Sequence, residues 1–321
     1  MRVKHLLLLL ALAMLAAPLW ANQAETLVLF DPTVPENPES IVFDRFDNAY
    51  VTLALNGAVV RISRHFAVTH LASLPIDAPC ATPAVALGLA IDWRGRLFAA
   101  VVSCNPANTG IWRINKFTGA LTQVANLPSF AVPNGIDVDN RGSLYAGDTF
   151  AGLVWRVDLR DGSYEVWKDD PLLEIAPGSP FPGPNGVEVY KGEVYVANSS
   201  TGDIIAIPID RPSGTAGDAR VAFSLPEPQG CDEFVFDIKG SVYCTTDPFN
   251  TVVRLDPDGT TEILLTADDL LDGPTSAAFG RRGQNRKSLY ITNAAFPQFT
   301  TTFRPSLMRI RLDTPGAPLI Q

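Results

Sequence analysis

A sixfold repeat governs what this chain can fold into. The segments SIVFDRFDNAYVT, GLAIDWRGRLFAA, GIDVDNRGSLYAG, GVEVYKGEVYVAN, EFVFDIKGSVYCT and SAAFGRRGQNRKSLYIT share apolar alternation, an Asp or Gly turn, then small and aromatic residues. Their aromatic positions, Tyr50, Phe98, Tyr145, Tyr195, Tyr243 and Tyr290, are separated by 48, 47, 50, 48 and 47 residues. Each unit continues with a third run, such as AVVRIS or LVWRVD, with Arg61, Arg113, Arg156, Arg254 and Arg309 at matching places and Ala206 replacing the Arg once. Five units carry a fourth run and the sixth has none. The segment ETLVLFDP, residues 25–32, reads like those fourth runs. Short alternating runs between turn residues read as strands. Four strands per unit, with the last sheet closed by a strand from the N-terminus, predict an all-β six-bladed propeller. Serial two-sheet sandwiches explain neither the constant period nor the displaced strand.

Arg2 and Lys4, an apolar run from Leu6 to Ala17 and small residues up to Ala21 fit a secretory signal over residues 1–21, leaving 22–321 as the propeller domain. The run is too short to span a bilayer comfortably. Export to the periplasm or exterior is the expectation, with no membrane attachment after cleavage. The net charge of −9 argues against nucleic-acid or anionic-membrane partners, which demand basic patches. A small molecule or a cation suits it better, and a monomer is expected. The four Cys allow three pairings. Cys80 and Cys104 flank the turn DWRGR, and Cys231 and Cys244 the turn DIKGS. Antiparallel hairpin geometry favours those two pairs, in keeping with an oxidising compartment. A Cys-based metal site is the less favoured alternative, since no CxxC occurs.

In a propeller the loops entering each first strand and leaving each second strand share one face. Here those are the long loops, which points to a pocket on that face. Alignment of the units places Glu39, Leu87, Asn134, Asn185, Asp232 and Thr275 where the inner strands enter the channel. Two carboxylates and two amides converging there need a positive charge to compensate them. Oxygen donors alone suit a hard cation, Ca²⁺ or Mg²⁺, whereas zinc would want His or Cys. Asn before Gly is also an ordinary turn signal, and PNG occurs twice. The register of Glu39 and Asp232 with the two amides favours the metal site.

At these residues, PES in the first unit, PNG in the third and fourth and the in-register Asp of the fifth, the chain resembles the regucalcin/gluconolactonase family of six-bladed propellers. The resemblance implies a Ca²⁺-type ion held by Glu39, Asn185 and Asp232, with Asn134 as a further ligand or substrate contact. The related diisopropyl fluorophosphatase-like propellers would use all four. The fifth unit departs from the pattern, reading GCDEFVFD where the family more often has Asp followed by Gly. No family-typical Arg stands beside the site to hold a sugar acid.

The three His residues are His5 in the signal and His65 and His70 in the outer strands of the first unit, so a Ser/His/Asp triad or paired-His mechanism is disfavoured. No phosphate loop or dinucleotide fingerprint occurs. The favoured reading is a metal-dependent lactonase or esterase with Asp232 as general base or nucleophile. A phosphotriesterase on the same ring and a non-catalytic binding propeller are the rivals. Phe296, Phe299 and Phe303 in the last long loop suggest an apolar lid over substrate or a hydrophobic plug. Asp148, ending a second strand, is either a partner of the ring or a surface cap. The sequon NSS at Asn198 would matter only in a eukaryotic secretory host.

Overall fold

In three of the six units an aspartate that closes a turn and a tyrosine six residues later fix the first hairpin. Asp44, Asp139 and Asp237 each accept two backbone N–H groups of their own turn through Oδ1. On Oδ2 they accept the hydroxyls of Tyr50, Tyr145 and Tyr243 at 3.2, 3.3 and 3.2 Å. Phe98 has no hydroxyl to donate, and its turn residue Asp92 pairs with Arg96 at 2.6 Å instead. Across the sheet, Tyr50 faces Arg61, Phe98 faces Arg113, Tyr145 faces Arg156, Tyr195 faces Ala206, Tyr243 faces Arg254 and Tyr290 faces Arg309. The repeated aromatic and arginine are thus cross-strand partners.

The computed structural model describes residues 24–80, 84–226 and 230–318. The signal segment, residues 1–21, lies outside them. Six four-stranded antiparallel sheets form the blades, at 38–73, 85–126, 133–169, 184–224, 234–265 and 274–311. The strand Glu25–Leu29 pairs antiparallel with Ser306–Arg311 as the outermost strand of blade 6, where Arg309 binds Glu25. The chain's two ends therefore close the ring, as the displaced strand predicts. Among the described residues the only helical pieces are short 3₁₀ turns, and no helix is long and apolar enough to cross a membrane.

The core lies between blades. Phe98, Ile111 and Leu127 from blade 2 and the loop after it pack on Ile136, Val138 and Leu144 of blade 3. Fully burying side chains of this size contributes about 1.5–3 kcal/mol each. At the axis the blades come so close that no side chain fits. A Cβ on Gly88, Gly135 or Gly186 would lie 2.3, 2.4 or 2.7 Å from the carbonyl oxygen of Asn134, Asn185 or Asp232 in the next blade. The glycine of each PNG is needed for this approach rather than for a turn. Gly135→Ala is expected to cost about 3 kcal/mol, as for overpacking against unyielding backbone, and to lower the midpoint of urea unfolding accordingly.

Candidate functional site

The inner strands of blades 1, 3 and 4 each begin with proline and then present Glu39, Asn134 and Asn185. Thr275 follows Pro274 in blade 6, and Leu87 is third in the inner strand of blade 2. Asp232 stands two residues ahead of its strand, Phe234–Phe236, which is only three residues long. Glu233 occupies the position filled by glycine in blades 2, 3 and 4. Its carboxylate accepts a hydrogen bond from Ser40 Oγ at 3.1 Å. All six ring residues are buried.

The chemistry of the ring shows in what its oxygens lack. Glu39 Oε2, Asn134 Oδ1 and Asn185 Oδ1 are buried without a hydrogen-bond donor, and so are Asn37 Oδ1 and Asp247 Oδ1 close by in sequence or register. These five are every orphaned oxygen among the described residues; the other orphans are guanidinium Nε atoms. Buried acceptors without donors are costly unless a cation or a proton satisfies them. The orientation of Asn185 is set by its neighbour. Ser199 Oγ donates to Cys231 O at 2.6 Å and so has only lone pairs left for Asn185 Nδ2 at 3.2 Å. The amide oxygen of Asn185 is thereby turned away from Ser199.

Burial pushes the Glu39 carboxyl well above its usual range, and the carboxylates of Glu233 and Asp247 push it further. Asp232 is raised by burial and by Glu39, Asp247 and Glu233, with only the Asn185 amide opposing. Asp247 is raised to about 7 by burial and by Asp272. Among the described residues no three His, Cys, Asp or Glu side chains form a metal-holding group, so the candidate centre is two carboxylates and two amides. That donor set, with three of its oxygens orphaned, fits a hard cation.

Sequence reasoning missed Asp247. It stands four residues after the repeat aromatic, where blades 3 and 4 carry Thr149 and Ser199. Those hydroxyls donate to Pro184 O at 2.9 Å and to Cys231 O, the carbonyls just before ring residues Asn185 and Asp232. An ionised Asp247 has no proton to donate there. Deeper in the channel, Asp137, Glu188, Glu233 and Arg281 line a cavity of about 60 Å³ bounded by all six inner strands. Asp137 and Glu188 were missed because bulges after Pro133 and Pro184 shift the strand alternation. Asp137 Oδ2 there accepts Val189 N from the next blade at 2.7 Å.

Other expectations resolve plainly. The disulfides are Cys80–Cys104 and Cys231–Cys244, with Cα separations of 5.7 and 5.8 Å. Asp148 is not a surface cap: it is fully buried and accepts Trp155 Nε1 at 2.8 Å and Ala151 N at 3.1 Å, which anchors its own turn. Asn198 is equally buried and donates to Leu172 O and Glu174 O, so its sequon is closed to modification in the folded chain. His65 lies in a turn and His70 in the outer strand of blade 1, both exposed. Phe299 and Phe303 are 52% and 44% exposed, while Phe296 is half-buried. Asp272 pins their loop by accepting Thr302 Oγ1 at 2.6 Å and Arg304 N at 2.7 Å.

The chain is therefore a six-bladed propeller with a carboxylate and amide ring at its channel mouth. Residues 181–295, which include Asn185, Asp232 and Asp247, match the family model described as the SMP-30/Gluconolactonase/LRE-like region. The resemblance drawn from the PES, PNG and in-register Asp motifs holds in that match, and solved structures share the propeller fold. A calcium-binding regucalcin from Agrobacterium tumefaciens is 18% identical, covering 93% of this chain and 96% of its own, with a TM-score of 0.66. A gluconolactonase from Xanthomonas campestris is 17% identical, covering 93% and 87%, with a TM-score of 0.62. A PQQ-bound aldose sugar dehydrogenase from Streptomyces coelicolor matches at 15% identity over 92% and 99%, also at 0.62, so the fold is shared across different chemistries. No curated protein matches the chain.

Proposed function

We propose that the protein is an exported, divalent-cation-dependent hydrolase that acts on a small lactone or carboxylic ester at the long-loop end of its channel. The observation that carries this reading is the set of buried, donorless oxygens of Glu39, Asn134 and Asn185 beside the raised carboxyl of Asp232. Glu39, Asn134, Asn185 and Asp232 would hold the ion, Ca²⁺ by the oxygen-only donor set. When bound, such an ion polarises a carbonyl and makes a neighbouring water more acidic. Asp232, whose proton affinity burial has raised, suits the role of general base, with nucleophile as the alternative. Ser199 keeps the Asn185 oxygen turned away from itself. Asn134 serves as a ligand or a substrate contact, and Phe296 and Phe299 border the approach. The gluconolactonase likeness supports a hydrolase. The two disulfides are compatible with an oxidising compartment and hence with removal of residues 1–21 on export.

The test titrates chelator-treated protein with Ca²⁺ and Mg²⁺ by calorimetry and assays a lactone, an aryl ester and a phosphotriester in parallel. Stoichiometric Ca²⁺ binding with metal-dependent lactone or ester turnover is expected. Turnover of the phosphotriester alone would move the reaction to phosphorus. Binding without turnover would leave a binding propeller, and no binding would overturn the metal centre.

A further inference from the structure

One cleft opens directly beside the ring. It measures about 320 Å³ and lies between the loop 176–181 and the turn 199–202, with Leu225 and Gly230 closing its far side. Ser199 belongs to both places, since it lines this cleft and holds the Asn185 amide. Gly230 lies two residues before Asp232, so the cleft flanks the Asn185 and Asp232 side of the channel mouth. Its volume falls at the lower end of small-molecule sites.

Two properties select what would enter. The described residues lining it include no charged side chain, and Pro177, Pro180, Phe181 and Leu225 supply apolar walls. Phe181 is braced against Phe249 of blade 5, with ring centroids 5.3 Å apart. Each hydroxyl present already makes at least one hydrogen bond to the protein. Ser199 serves Asn185 and Cys231, and Ser200 Oγ donates to Asn198 Oδ1 at 2.6 Å and accepts Ala176 N at 2.9 Å. Ser179 Oγ accepts Phe181 N at 3.1 Å, and Thr201 Oγ1 accepts Asp203 N at 3.3 Å. A polyhydroxylated ligand would trade water for groups with part of their bonding capacity already used, which costs free energy for each hydroxyl left unpaired. An anionic ligand would meet Glu39, Asp232 and Asp247 at the mouth.

We propose that this cleft takes the uncharged, apolar acyl or aryl portion of the substrate, so that alkyl- or aryl-bearing lactones and esters are preferred over sugar lactones. This rests on the hydrolase reading above for its reaction, but not for the binding it predicts. Thr201 is exposed at the rim, and Thr201→Trp would fill the cleft without disturbing the core.

The experiment compares kcat/KM for an alkyl-substituted lactone, the unsubstituted lactone of the same ring size and a polyhydroxylated lactone. It also measures calorimetric binding of the corresponding alkyl lactam, which is not hydrolysed. Wild type is expected to prefer the alkyl over the polyhydroxylated lactone by about tenfold or more. Thr201→Trp should lower turnover of the alkyl lactone about tenfold more than that of the unsubstituted one and abolish lactam binding. Phe181→Ala, which removes a wall, should weaken lactam binding while leaving Ca²⁺ affinity unchanged. Preference for the polyhydroxylated lactone, or lactam binding indifferent to both substitutions, would overturn the proposal. Lactam binding lost in Thr201→Trp with no turnover of any lactone or ester would uphold the cleft and overturn the hydrolase reading.

Discussion

Stripped of divalent cations, the protein is expected to lose stability as the pH rises from about 5 to 8, with Ca²⁺ restoring much of the loss at the upper end. Asp247, Glu233 and Asp137 are each pushed up to about 7, from ordinary values of 3.8, 4.5 and 3.8. Between those values the native chain holds protons that the unfolded chain has released. Stability therefore falls as pH rises through that window, and the loss from these groups is complete only above their raised values. Glu39 and Asp232 are shifted in the same direction and deepen the effect. A shift of three units corresponds to about 4 kcal/mol per group when fully expressed. A cation bound among ionised carboxylates reverses the sign of their interaction, so its stabilisation should grow over the same range. At a hundred times its dissociation constant it would contribute about 2.7 kcal/mol. Melting temperatures at pH 5, 6.5 and 8, with chelator or with Ca²⁺, test this. A flat profile in chelator would show that the buried carboxylates do not strain the fold, and an equal Ca²⁺ shift at pH 5 and 8 would show that they are not its ligands.

How far the sequence revealed this arrangement differs from residue to residue. The blades were legible because Tyr50, Phe98, Tyr145, Tyr195, Tyr243 and Tyr290 serve the same cross-strand role, so they recur at nearly constant spacing. The ring was legible for the same reason: one position per unit enters the channel, and Glu39, Asn134, Asn185 and Asp232 fall on it. Asp137 and Glu188 escaped because bulges break the two-residue period that strand reasoning relies on. Asp247 escaped because its significance lies in contrast with other blades. Only the bonds made by Thr149 and Ser199 show that a carboxylate stands where hydroxyls elsewhere donate to the next blade. Asp148 misled because an acidic residue at a strand end reads as exposed, whereas the Trp155 indole draws it inside.

Asp232→Asn is expected to cut turnover severely while making the stripped protein more stable at pH 8. The substitution nearly conserves shape, and Asn already fills this ring position in blades 3 and 4. It removes a buried charge that Glu39, Asp247 and Glu233 all oppose. Relief of that repulsion should raise the melting temperature by several degrees, at roughly 2–4 °C per kcal/mol for a large domain. The gain should shrink as the pH falls and the buried wild-type carboxyl takes up its proton. Loss of an anionic ligand should weaken Ca²⁺ binding by roughly a hundredfold. Loss of the proposed base should lower hydrolysis by about a thousandfold. Such a trade, stability at pH 8 for function, distinguishes a working site from a structural one, because a carboxylate kept for folding would destabilise when neutralised. Should Asp232→Asn instead melt earlier than wild type in chelator at pH 8, the carboxylate would be a structural anchor, held by contacts such as the Asn185 amide. The catalytic base would then have to be sought elsewhere at the mouth, with Asp247 the first to test.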